Sequence, residues 1–96
     1  MKIFKLDDIQ IYQESIALVK EVYQLARELL LERDFSLVDQ IKRAAISVSA
    51  NIAEGYDRKT RKGFANFLSI ALGSTNEVSH CWILSKNFTQ GLRQII

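Results

Sequence analysis

The 96-residue chain has no proline, one cysteine, one histidine and only four glycines. Average usage would place about 5% proline in it, so the commonest helix breaker is missing and long uninterrupted helices are expected. A lone Cys81 forms no intrachain disulfide, and one thiol with one imidazole falls short of a structural zinc set. A reducing, cytoplasmic setting fits this cysteine usage. No segment approaches the roughly 18 apolar residues of a membrane span, and the opening MKIFKLDDIQ lacks a signal-peptide core, so no membrane association is expected. Neither a strand pattern nor a glycine-rich phosphate loop is present, which argues against a nucleotide-binding α/β enzyme.

Hydrophobic residues make up 48% of the chain and charged residues 25%, ordinary values for one globular domain spanning residues 1–96. A chain of this length buries roughly 60% of its unfolded surface, enough for one core. The net charge of +2 is unevenly spread: residues 1–39 carry −3 and residues 40–96 carry +5. The basic surface therefore belongs to the second half.

Tyr12, Ile16, Val19, Tyr23, Ala26 and Leu30 alternate at spacings of four and three, which predicts a first helix over about 8–31, capped by Asp7 or Asp8. Ser36-Leu37-Val38-Asp39 has capping-box spacing. Behind it Leu37, Ile41, Ala44, Val48 and Ile52 form the stripe of a second helix, about 37–54, with Gly55 as a left-handed terminator. Phe64, Leu68, Ala71, Thr75, Val78 and Trp82 trace a third helix over about 61–87. Ile70, Leu72, Ile83 and Leu84 lie off that stripe, more apolar surface than one neighbour covers. Gly91 then breaks the chain, leaving a short segment at 89–96. The expected fold is all-α: an up-down antiparallel helical bundle of three long helices plus a short or truncated fourth, with self-association to cover the excess.

Glu77-Val78-Ser79-His80 has the Glu-x-x-His spacing of di-iron bundles, but helical geometry turns Glu77 about 130° and His80 about 170° from the core stripe. A second such motif would need another histidine, so no metal site, cofactor or catalytic residue is expected. Gln40, Arg43, Ser47, Asn51 and Glu54 form a polar stripe flanking the apolar one. Asn51 and Glu54 are expected to meet Ser74 or Glu77 in a structural polar network, with Gly73-Ser74 permitting close approach. Arg58, Lys59, Arg61 and Lys62 cluster where the third helix begins, at an end whose dipole disfavours cations. Phosphate contact is one reason for such a cluster and a solvated turn is the other, while the absence of an aromatic and basic interleave argues against base-stacking recognition of single strands.

The run "QIKRAAISVSANIAEG", the basic connection after it, Phe64 and Phe67, and "ALGSTNE" together resemble the four-helix-bundle proteins encoded by intervening sequences in bacterial large-subunit (23S) ribosomal RNA genes. They are similar as well to the accessory variability proteins of diversity-generating retroelements. The likeness covers about the first 80 residues and is densest from Gln40 to Glu77. It implies a four-helix up-down subunit in a pentameric ring, without catalysis. In the retroelement branch it also implies a basic surface that binds nucleic acid and a reverse transcriptase. Where the family has a full fourth helix, "HCWILSKNFTQGLRQII" drifts from the pattern, for which a truncation or frameshift is one expectation and a naturally short end the other.

Two functions follow as expectations. The first is a non-enzymatic homo-oligomer that binds nucleic acid, RNA in preference, through Arg58, Lys59, Arg61 and Lys62, with Lys42 and Arg43 as weaker contacts. The alternative is a scaffold that docks a partner polypeptide on its exposed apolar helix faces.

Overall fold

The computed structural model describes residues 6–28 and 34–95, with side chains described for 6–27 and 34–87. A 3-10 turn at Leu6–Asp8 precedes α1 (Gln10–Glu28), α2 (Phe35–Asp57) and α3 (Arg61–Ile95). Among the described residues there is no strand, and the chain is all-α. The central helix is α2, which packs against both others, whereas α1 and α3 make at most marginal contact. Gln40 meets Glu77, Ser47 meets Ser74, and Gly55 meets Phe64 and Phe67, so α2 and α3 run antiparallel. From that register Phe35 lies level with about residue 86, and the last turns of α3 run on past α2.

The stripe of α2 is buried at all five expected positions: Leu37, Ile41, Ala44, Val48 and Ile52. Asp34 caps this helix, accepting the Leu37 N–H at 3.1 Å, so the expected capping box at Ser36 gives way to a cap two residues earlier. The carboxylate satisfies a donor that the helix itself leaves unpaired. Asp34→Ala is expected to cost about 1 kcal/mol, read as a lower urea midpoint at constant m value.

On α1 the buried positions are Ser15, Val22 and Ala26, with Leu18 and Leu25 beside them, whereas Tyr23 is exposed. Of the expected stripe, Ala26 is buried and Tyr12 and Val19 pack partly buried against the core, so the inward face is turned from that stripe toward Ser15, Leu18, Val22 and Leu25. Buried serines make this possible: Ser15 Oγ donates to the Tyr12 carbonyl at 2.6 Å, and Ser49 and Ser85 do likewise three residues back. A serine paired with its own helix is cheap to bury. Asp7 and Asp8, the expected caps, lie in the 3-10 turn ahead of α1, and Gln13 Nε2 donates to the Asp7 carbonyl at 2.7 Å. The expected end near Leu31, with Leu30, lies outside the described residues.

Three glycine readings are corrected. Gly55 sits inside α2, and the left-handed residue is Lys59 at φ 60°. Gly55 is required by space: a Cβ there would come within 2.8 Å of Phe67 Cβ and 3.1 Å of Phe64 Cδ1. Gly73 permits no close approach, because nothing lies within 4 Å of where its Cβ would be. Gly91 does not interrupt α3, which continues to Ile95, so the separate segment expected at 89–96 is the end of this helix. One glycine lowers helix propensity by about 1 kcal/mol without forbidding the helix.

On α3, Ala71 and Val78 are buried as expected, and Cys81 and Ser85 join them. Ile70, Leu72 and Ile83 are exposed, but Leu84 packs against the core. Between α1 and α3, floored by Val48 and Ile52 of α2, runs an apolar groove of about 430 Å³. Its walls include Ile11 and Leu18 on one side and Leu72, 63% exposed, on the other.

Candidate nucleic-acid interface

The turn between α2 and α3 is held by short-range bonds. The Arg58 N–H donates to the carbonyl of Gly55 at 3.2 Å and the Lys59 N–H to that of Tyr56 at 3.3 Å. Thr60 Oγ1 accepts the Gly63 N–H at 3.0 Å and so caps α3. The chain folds back tightly enough that a Cβ at Gly63 would meet Arg58 Cβ at 2.8 Å. Arg58, Lys59, Arg61 and Lys62 are all exposed on this turn.

The four cations are not equivalent. Arg58 donates to Glu54 Oε1 at 2.9 Å, and its guanidinium lies 5.0 Å from the Phe67 ring centroid. That arginine ties the end of α2 to the start of α3, and its charge is already answered. Among the described residues no ion pair engages Lys59, Arg61 or Lys62. These three form the side of the turn with unanswered positive charge, at a helix end whose dipole adds to it.

The weaker candidates lie elsewhere. Lys42 and Arg43 are about 16 residues back along α2, roughly 24 Å from the turn. Arg43 is paired with Asp39 at 2.8 Å. Lys42 Nζ sits 4.9 Å from the centroid of Tyr23 on α1. The six expected contacts therefore divide into two regions, with Arg43 and Arg58 each held by a carboxylate.

The polar stripe does bridge α2 and α3, with partners other than those expected. Asn51 Nδ2 donates to the Ser47 carbonyl at 2.8 Å and to Ser47 Oγ at 3.0 Å, and Ser47 shares a 2.8 Å bond with Ser74 Oγ. Glu77 accepts from Gln40 Nε2 at 3.0 Å, while Glu54 is taken by Arg58. A half-buried bond such as Ser47–Ser74 contributes about 0.5–1.5 kcal/mol and fixes register more than it binds a ligand.

Glu77 and His80 are both exposed, and among the described residues no group of three or more His, Cys, Asp or Glu is placed to hold a metal. Cys81 is 1% exposed, and burial, then the nearby Glu77 charge, pushes its thiol pKa up. The thiol therefore stays protonated and unreactive near neutral pH. No described helix is long and apolar enough to cross a membrane.

Sequence reasoning missed the surroundings of Lys42. Lys20, Tyr23 and Arg27 recur at three and four on α1 and, with Val19, line a shallow depression of about 310 Å³. Their spacing was the available signal, masked because Tyr23 also fits an apolar stripe.

The family model described as 23S rRNA-intervening sequence protein matches residues 7–90, well over half of the chain. No curated protein and no solved structure matches.

Proposed function

The chain belongs to the 23S rRNA-intervening sequence protein family, and from that premise we propose a non-enzymatic, self-associating subunit of an up-down helical bundle that binds nucleic acid through its phosphates. RNA is the preferred ligand. The observation that carries the binding half is the turn at Lys59, Arg61 and Lys62, exposed cations without a described carboxylate partner. Self-association is supported by the groove between α1 and α3 and by Leu72 on its wall. A ring of such subunits repeats the cationic turn on each copy and multiplies a weak single contact.

The test is a salt titration of RNA binding with Lys59→Gly, Arg61→Ala and Lys62→Ala combined. Glycine at 59 keeps the positive φ, and Arg58 stays because it is structural. Each lost phosphate contact flattens the slope of log K against log salt by about 0.7–0.9, so the triple variant is expected to lose about 2–3. An unchanged slope and affinity would remove the turn from the interface. The groove also favours a second reading, a scaffold that docks a partner polypeptide there. A complex that survives nuclease treatment and is lost in Leu72→Asp would favour that reading.

A further inference from the structure

The α1 face bearing Lys20, Tyr23 and Arg27 is a cationic surface separate from the turn. The three residues share one side of the helix by spacing, and Tyr23 stands 36% exposed among them. Lys42 reaches across from α2 and lies over one face of the tyrosine ring, its ammonium 4.9 Å from the centroid. Among the described residues no carboxylate lines the depression that Lys20, Tyr23 and Arg27 form with Val19. Among the described residues, no ion pair engages Lys20, Arg27 or Lys42. The contrast is with Arg43 and Arg58, whose charges are each met by an acid one helical turn away.

We propose that this patch stacks one unpaired base of a single-stranded nucleic acid on Tyr23, with Lys20, Arg27 and Lys42 on the flanking phosphates. The inference rests on the nucleic-acid reading above and adds a second, chemically different contact to it. A site for anions alone needs no half-exposed aromatic at its centre. An aromatic ringed by cations offers a platform for a base and charge for the backbone on either side of it. Arg27 contributes a planar cation that itself stacks on rings. A duplex keeps its bases stacked inside, so a platform on one helix face reaches only an unpaired nucleotide. The open depression of about 310 Å³ lies at the small end of ligand pockets, about 300–1,000 Å³, and has room for one base.

The test compares a thymidine dodecamer with an abasic dodecamer of the same phosphate number, using fluorescence anisotropy on the full chain. Wild type is expected to bind the thymidine strand about 5- to 150-fold more tightly, the range for one stacked base. Tyr23→Phe should keep that preference and Tyr23→Leu should abolish it, with thermal unfolding confirming that each variant is folded. Lys20→Gln with Arg27→Gln, both at exposed positions, should weaken binding of the two strands alike and flatten the salt slope by about 1.4. Equal wild-type affinity for the two strands overturns the proposal, as does a preference that survives Tyr23→Leu or a salt slope untouched by the double variant. Polyglutamate binding as tightly as the thymidine strand would also overturn it, in favour of an acidic polypeptide. Binding that depends on Lys59, Arg61 and Lys62 but not on Tyr23 overturns this inference and leaves the earlier reading standing. Loss of all nucleic-acid binding by wild type removes both.

Discussion

Ile41→Ala is expected to remove about 2–5 kcal/mol of stability, the range for deleting a buried aliphatic side chain and leaving a cavity. Ile41 is 1% exposed and, with Cys81, is one of the two largest fully buried side chains among the described residues. Its cluster draws on all three helices: Val22 of α1, Leu37, Ala44 and Ala45 of α2, and Val78 and Cys81 of α3. The alanines matter to the size of the effect, because they have no mobile side chain to swing into the void. With α1 and α3 in at most marginal contact, the loss at the centre weakens both halves of the packing at once. Domains of this kind have about 5–15 kcal/mol in total, so the variant is expected to unfold at a far lower urea concentration with an unchanged m value. The control is Ile46→Ala on the same helix. Ile46 is 44% exposed, and removing it is expected to cost under about 1 kcal/mol. Equal losses at the two positions would contradict the placement of the core.

How far the fold was legible depended on how narrow each apolar stripe was. In α2 the large apolar residues of the core lie in one row, so periodicity selected five of its buried positions, while Ala45, Ser49 and Gly55, small residues beside that row, went unmarked. In α1 two rows compete. Tyr12, Ile16, Val19 and Tyr23 lead to Ala26 as regularly as Ser15, Leu18 and Val22 do, and hydrophobicity ranks a tyrosine above a serine. The structure buries Ser15 and Val22 beside Ala26, and the Ser15 hydroxyl is answered within its own helix, a bond invisible to a hydropathy pattern. Glycines were misread for a related reason. Propensity treats Gly55 and Gly91 as punctuation, but Gly55 answers to Phe64 and Phe67 on another helix, and α3 absorbs Gly91.

At the candidate interface the cations were legible and their partners only partly. Glu54 and Arg58 are four apart on one helix, as are Asp39 and Arg43, and that spacing favours ion pairs. Applied before the charges were counted, it would have separated Arg43 and Arg58 from the unanswered cations. Lys42 against Tyr23 joins two helices, and no pattern within one helix predicts it. The same rotation of α1 that put Ser15 inside moved Tyr23 outward, so the error in the core and the missed patch share one cause.

Gly55→Ala and Gly73→Ala are expected to change stability in opposite directions. Both exchanges replace a helical glycine by the best helix former, a gain of about 0.8–1.0 kcal/mol where nothing opposes it. Nothing opposes it at Gly73, where the space around the new Cβ is open, so that variant should be more stable by nearly the full amount. At Gly55 the new Cβ meets Phe67 Cβ at 2.8 Å and Phe64 Cδ1 at 3.1 Å. A Cβ is fixed to its backbone and cannot swing away, so relief requires α3 to shift from α2. Overpacking of this kind costs about 1–3 kcal/mol, and urea unfolding of the two variants beside wild type reads the difference in sign. The shift has a consequence for binding as well. Phe67 is the ring under Arg58, and Arg58 ties the turn to Glu54. Moving Phe67 loosens the turn that presents Lys59, Arg61 and Lys62. Gly55→Ala is therefore expected to weaken nucleic-acid binding under conditions where the variant is still folded, while Gly73→Ala leaves binding unchanged. Two variants with the same affinity would show that the cations need no fixed geometry and act only through their charge.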